Sequence, residues 1–145
     1  MKKLIQTIAV VMVFSFAITT QASAAVNSKR VNVTGEIVDT WCYVTEIMFA
    51  QGTAHYQCAL WCALGGIPVS VLGDDGKVYV VLRLEEETDN VAAPSVVKIQ
   101  ARKVTVNGDL YVRDGVNYIF VTEIADDKGV INLTQDEYGI QPFGE

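Results

Sequence analysis

One pattern, present twice, constrains the fold more than any other feature of this chain. Val31-Asn32-Val33-Thr34-Gly35-Glu36-Ile37-Val38 alternates apolar and polar residues, and Val104-Thr105-Val106-Asn107-Gly108-Asp109-Leu110-Tyr111 repeats the pattern 73 residues later. Alternation at period 2 specifies a strand with one face in a core, so both segments are expected as half-buried strands. Each carries a glycine at the same place. Glycine inside a strand marks a bulge or a sharp bend, the device that lets a sheet curl. A positive φ is expected at Gly108, with Gly35 behaving alike. Two such strands point to a small closed barrel.

The remaining strands are read from turns. Ile67 to Leu72 and Lys77 to Leu84 flank Gly73-Asp74-Asp75-Gly76, the composition of a four-residue hairpin loop, with Pro68 at the strand entry where a missing N–H is tolerated. Val78 to Leu82 is apolar on both faces, as in a central strand. A strand from Lys103 reaches Asp114-Gly115, a tight-turn dipeptide, and returns as Val116 to Ile124. Between these pairs, Glu85 to Ser95 breaks the alternation and suits a short helix, while Val96 to Ile99 fits either its end or a strand start. The order is strand, long connection, hairpin, short connection, hairpin. That order predicts an all-β fold, a five-stranded OB-like barrel, rather than a sandwich of seven or more strands. After the turn at Asp126 to Gly129, an edge strand is expected at Val130 to Leu133, followed by a loosely held tail.

The first 24 residues are set apart from the fold. Lys2-Lys3, an apolar run from Leu4 to Ile18 and then Ala22-Ser23-Ala24 form the three zones of a secretory signal, with cleavage expected after Ala24. The apolar run falls short of the roughly 20 residues that span a bilayer and contains Gln6, Thr7 and Ser15, so no stable membrane anchor is expected. Residues 25–145 then form one OB-like domain with an insertion at 40–66, and the protein is expected to be exported, periplasmic or secreted. Removing Lys2 and Lys3 leaves 9 basic against 17 acidic residues, a net charge of −8, which opposes binding to nucleic acid.

The insertion holds all three cysteines and the only histidine: Cys42, His55, Cys58 and Cys62. A helix is expected from Ala54 to Leu64, with Thr53 as N-cap and Gly65-Gly66 as a left-handed C-cap. On it His55, Cys58 and Cys62 stand at i, i+3 and i+7, within roughly a 60° arc, while Cys42 comes from the preceding strand end. Zinc and copper(I) prefer thiolate and imidazole donors, so a Cys3His site for one of them is expected. The metal would order a helix that is marginal by itself.

Two other readings compete. Met48, Gln51, His55, Cys58 and Cys62 follow a 3–4 spacing that also suits a core face, with one disulfide and one core thiol. Cys58 and Cys62 are poorly spaced to bridge within one helix, since Cβ atoms at i, i+4 lie roughly 6 Å apart, so a disulfide would run from Cys42 to one of them. The third reading is thiol redox chemistry. An odd cysteine count in an oxidising compartment decides nothing alone. Met48 could add a thioether to a copper site or make a core contact. Trp41 and Trp61 each precede a cysteine and either shield the sulfurs or, as we favour, cover the barrel end. No nucleophile elbow, phosphate loop, H-E-x-x-H or haem-attachment motif is present. Asp74-Asp75, Glu85-Glu86-Glu87 and Asp126-Asp127 read as solvated turn carboxylates.

The run Val33 to Asp39, then Cys42, His55, Cys58 and Cys62, then Gly66-Ile67-Pro68-Val69 and Gly76-Lys77-Val78-Tyr79 resembles small exported bacterial proteins with an OB-like barrel and a cysteine-rich insertion. The resemblance implies a fold and an exported location, and no particular activity. Cys58-x3-Cys62 with a histidine is also locally similar to copper-delivery proteins of the Sco type. There the cysteines sit in a thioredoxin-like domain, which the all-β pattern here does not match. The expectation is therefore an exported metal-binding protein whose partners are the ion and a protein outside the cytoplasm. The alternatives are a thiol redox protein and a non-catalytic OB-type binding module with a disulfide-stapled insertion.

Overall fold

A computed structural model describes residues 27–47, 49–85 and 92–134. The expected signal segment at 1–24, Met48, Glu86-Glu87 and the chain beyond Thr134 lie outside the described residues. Five strands, β1 (Lys29–Asp39), β2 (Val69–Gly73), β3 (Val78–Leu84), β4 (Lys103–Arg113) and β5 (Val116–Asp127), close into a barrel in the order β1-β2-β3-β5-β4. All neighbours are antiparallel except β3 and β5, which run parallel. Between β1 and β2 lie two helices, α1 (Thr40–Thr45) and α2 (Gly52–Leu64); a third, α3 (Pro94–Lys98), lies between β3 and β4.

The two strands with the repeated pattern lie side by side. Val33 pairs with Val106 and Thr34 with Thr105, whose hydroxyls are 2.9 Å apart, and Asn32 Nδ2 donates to Asn107 Oδ1 at 2.8 Å. Closure depends on β1 serving two neighbours. Its first part, Lys29 to Glu36, pairs with β4, and its second, Gly35 to Asp39, pairs with β2. Gly35 stands at the changeover. A Cβ there would lie 2.3 Å from the carbonyl oxygen of Leu72, and one on Gly108 would lie 2.3 Å from that of Phe120. The register between β4 and β5 shifts between Asn107 and Gly108, so the bulge is where the pattern placed it. The expected positive φ is not found at either glycine. They are needed because backbones approach closely, not because φ is left-handed.

Val33, Ile37, Val71, Val81, Val104, Val106, Ile119 and Val121 fill the barrel, and Val96 of α3 joins their core. The segment Val96 to Ile99 is thus the end of a helix, with Pro94 in its first turn. The β4–β5 turn has φ of 52° at Asp114 and 82° at Gly115, positive at both central residues as a type I′ hairpin requires. In the β2–β3 loop Gly76 has φ of 77°, and Asp75 accepts from the backbone N–H and Nζ of Lys77 and from the Tyr79 hydroxyl. These bonds hold the Asp75 carboxyl down at about 2, the Lys77 ammonium being the largest cause. Asp75 therefore organises its loop and is not merely solvated.

The edge strand expected at Val130 to Leu133 does not form. After Asp127 the chain leaves the sheet and packs on the insertion: Thr53 N–H donates to the Asn132 carbonyl at 3.0 Å and Thr134 N–H to Thr53 Oγ1 at 3.0 Å. The chain is therefore pinned as far as Thr134, and the tail expected to be loosely held lies beyond it, outside the described residues. No helix among the described residues is long and apolar enough to cross a membrane.

Candidate metal site

The site begins where β1 ends. Asp39 is extended, with φ −65° and ψ 120°, and its Oδ1 accepts the Cys42 N–H at 2.8 Å, which makes it the N-cap of α1. Thr40 is tied back to the barrel by its N–H to the Pro68 carbonyl and by its hydroxyl to that of Ser70. Cys42 accordingly sits in the first turn of a helix, not on a strand end as expected, because the Asp39 cap turns the chain three residues earlier. The helix stops at Glu46, left-handed with φ 57°.

The start of α2 is capped from outside the helix. Gly52, with φ 64°, donates to Glu36 Oε1 at 2.6 Å, and Ala54 N–H donates to Thr134 Oγ1 at 3.1 Å. Asn132 Nδ2 donates to Glu36 Oε2 at 2.8 Å, which fixes the carboxylate between tail and helix. Glu36 is buried, and a negative charge at a helix N-terminus meets the positive end of its dipole. Thr53, expected as the N-cap, instead lies inside the first turn, and Gln51 occupies the cap position with no side-chain bond. At the other end the sequence expectation holds for one glycine. Gly66 is left-handed at φ 86°, Ile67 N–H reaches the Cys62 carbonyl and Gly66 N–H that of Ala63, the paired bonds of a Schellman motif, while Gly65 stays right-handed.

Along α2, Ala54, His55, Ala59 and Ala63 are buried. Small side chains let the helix lie close to the barrel and leave His55 as the largest group on its buried face. Cys58 and Cys62 are half-buried beside it, and their sulfurs are 3.9 Å apart. The sulfurs of Cys42, Cys58 and Cys62 all lie within 4.8 Å of one another, and all three are free thiols. A second triad shares Cys42: donor atoms of Asp39, Cys42 and His55 also lie within 4.8 Å of one another. Cys42, His55, Cys58 and Cys62 are thus brought together, as two overlapping triads rather than one equal set of four. Asp39 was not read as a donor. Its position three residues before Cys42, at a strand-to-helix junction, is the N-cap signal that could have exposed it.

No family model, curated protein or solved structure matches the chain. The chemistry of the site therefore rests on its own electrostatics. Burial pushes the Cys42 thiol up to about 11, helped by the Asp39 carboxylate and then by Cys58. Cys62 is driven up further, first by burial and then by Asp39 and Cys58. Without a cation these two sulfurs hold their protons at neutral pH. A cation among them would reverse the balance, replacing the protons and stabilising thiolates against the same neighbours.

Trp41 is 53% and Trp61 67% exposed, so much of each residue faces solvent. Val44 on α1 and Leu64 on α2 are exposed as well.

Proposed function

We propose that this is an exported protein that holds or handles a thiophilic metal, zinc or copper(I), through Cys42, Cys58 and Cys62 with His55 beside them. The observation that carries the reading is the disposition of the sulfurs. A metal about 2.3 Å from each of two thiolates, at a tetrahedral or trigonal angle, sets them about 3.8–4.0 Å apart. Cys58 and Cys62 stand 3.9 Å apart, with Cys42 in reach of both. The strand order, with β1 shared between β2 and β4, supports an OB-type barrel as the carrier.

Thiol redox chemistry fits less well at two of the three cysteines. Its nucleophile must be a thiolate, whereas burial and the Asp39 charge keep Cys42 and Cys62 protonated. The exposed tryptophans favour a protein partner outside the cytoplasm, since Glu46 is the only Asp, Glu, Lys or Arg between 40 and 66 and large aromatics anchor interfaces.

The test is metal analysis of protein purified without added metal, followed by thiol counting and by titration of the reduced chain with zinc or copper(I) against a chromophoric chelator. At least one equivalent should bind. Cys58→Ser and Cys62→Ser should each weaken binding more than His55→Ala, because water replaces a neutral imidazole more readily than a thiolate. A metal-free protein with a Cys42 disulfide that takes up no ion after reduction would defeat the proposal and leave the stapled binding module.

A further inference from the structure

Asp39 carries an unresolved cost that the trithiolate alone does not relieve. Its side chain is 1% exposed; Oδ1 is used by the Cys42 N–H, and Oδ2 makes no hydrogen bond of ordinary geometry. A buried carboxylate oxygen approached only by a weak thiol donor, that of Cys62, is poorly compensated for its lost hydration. A cation would compensate it. Cys42 and His55, each 2% exposed, place a sulfur and a nitrogen within 4.8 Å of the same carboxylate.

We propose that Asp39, Cys42 and His55 form a second, inner metal position, with the Cys42 thiolate bridging it to the outer position at Cys58 and Cys62. The inference rests on the reading that the three cysteines hold metal. The donor chemistry sets the class of ion. Oxygen, nitrogen and sulfur donors together suit a borderline divalent cation such as zinc, whereas copper(I) favours the sulfurs alone. Charge sets the number. One carboxylate and three thiolates carry four negative charges; one divalent ion leaves two of them uncompensated in a largely buried cluster, and two divalent ions bring the set to neutrality. Cys42 is the donor that the two triads share.

The full reduced chain is titrated with zinc, and bound metal is counted by elemental analysis after removal of excess. The same protein loaded with cadmium is observed by cadmium NMR, which separates sulfur-rich from mixed-donor positions. The expected result is two ions per chain and two resonances. Asp39→Asn, which keeps a side-chain oxygen to cap α1, should reduce the count to one and remove the resonance of the mixed-donor position. His55→Ala should do the same, so a folding defect in either variant leaves the other to decide. One ion in the parent protein, with the variants altering only its affinity, overturns the second position while leaving the metal-binding reading intact. Two ions that persist in both variants overturn it as well, since the second ion then lies elsewhere. Failure to bind any zinc defeats both.

Discussion

Replacing Glu36 by alanine should loosen α2, the helix that carries His55, Cys58 and Cys62, without touching a sulfur. The carboxylate accepts from Gly52 N–H at 2.6 Å and from Asn132 Nδ2 at 2.8 Å. Hydrogen bonds to charged groups contribute about 1.5–3 kcal/mol each, and a charge at a helix N-terminus adds about 0.3–1 kcal/mol. Water entering the space left by the side chain offsets part of this, so the expected net cost is roughly 2–4 kcal/mol. With a urea slope of about 2 kcal/mol per molar, the middle of the range for a small protein, the midpoint should fall by roughly 1–2 M. The loss should concentrate in α2, because 13 residues are marginal as an isolated helix and depend on caps and packing. Amide hydrogen exchange reads this directly: Ala54 to Leu64 should exchange faster by a larger factor than β4 and β5. Saturating zinc should restore part of the protection, since an ion bound to α2 and Asp39 ties the helix to the barrel. A Glu36→Ala cost under about 0.5 kcal/mol, the range of ordinary surface changes, would refute the claim that this carboxylate caps the helix.

Gly108→Val should destabilise by several kcal/mol in a denaturant melt, because its Cβ would meet the Phe120 carbonyl at 2.3 Å and a backbone cannot swing aside as a side chain can. Gly35→Val should do likewise against Leu72, and a neutral result at both would contradict the close approach. Cys58→Ser should leave the β-type circular dichroism intact, since the barrel core contains none of the three cysteines; its collapse would show that the insertion is needed for the barrel to fold. Apparent metal affinity should climb as pH rises, because the Cys42 and Cys62 protons that the ion displaces are held by raised pKa values; an affinity flat from pH 6 to 9 would show that these thiols are not ligands. Asp75, lowered from 3.8 to about 2, stabilises the β2–β3 loop fully above its unfolded value and loses that contribution as pH falls between the two. Asp75→Asn should therefore flatten the acid limb of unfolding in that window.

The barrel was legible in the sequence because each strand carries its own instruction. Alternation chooses the face, Gly35 and Gly108 choose the bends, and Asp114-Gly115 chooses the turn. Those signals act over a few residues and need no distant partner. The insertion was legible only in part. His55, Cys58 and Cys62 could be placed together because a helix fixes their relation, and Gly66 could be seen as the stop. What escaped depends on contacts across the chain. Thr134 and Asn132 cap a helix that begins some 80 residues earlier, and a mostly apolar stretch, Val130 to Leu133, gave no sign that its backbone would serve a helix instead of a sheet. Asp39 escaped for a different reason, since a strand-end aspartate is ordinary until the Cys42 N–H and the triad around it are seen.

The difference between these two layers bears on what the site can do. A binding position built into the barrel core would be held by strands on every side and would release an ion only when the whole protein opens. This one is carried on a helix whose buried face is mostly alanine and histidine, fixed at its start by Glu36 and Thr134 and at its end by a glycine turn. Such an element opens locally at a fraction of the global cost, because few large apolar side chains resist it. Cys58 and Cys62 move with α2, whereas Asp39 and Cys42 stay with β1 and α1. Local opening would therefore carry His55, Cys58 and Cys62 away from Asp39 and Cys42 together, a geometry suited to releasing an ion held between them. Joining α2 to β1 by a disulfide placed away from the cysteine cluster should slow zinc loss to a competing chelator without changing the number of ions bound. Equal release rates for the free and tethered helices would show that the ion leaves without the helix moving.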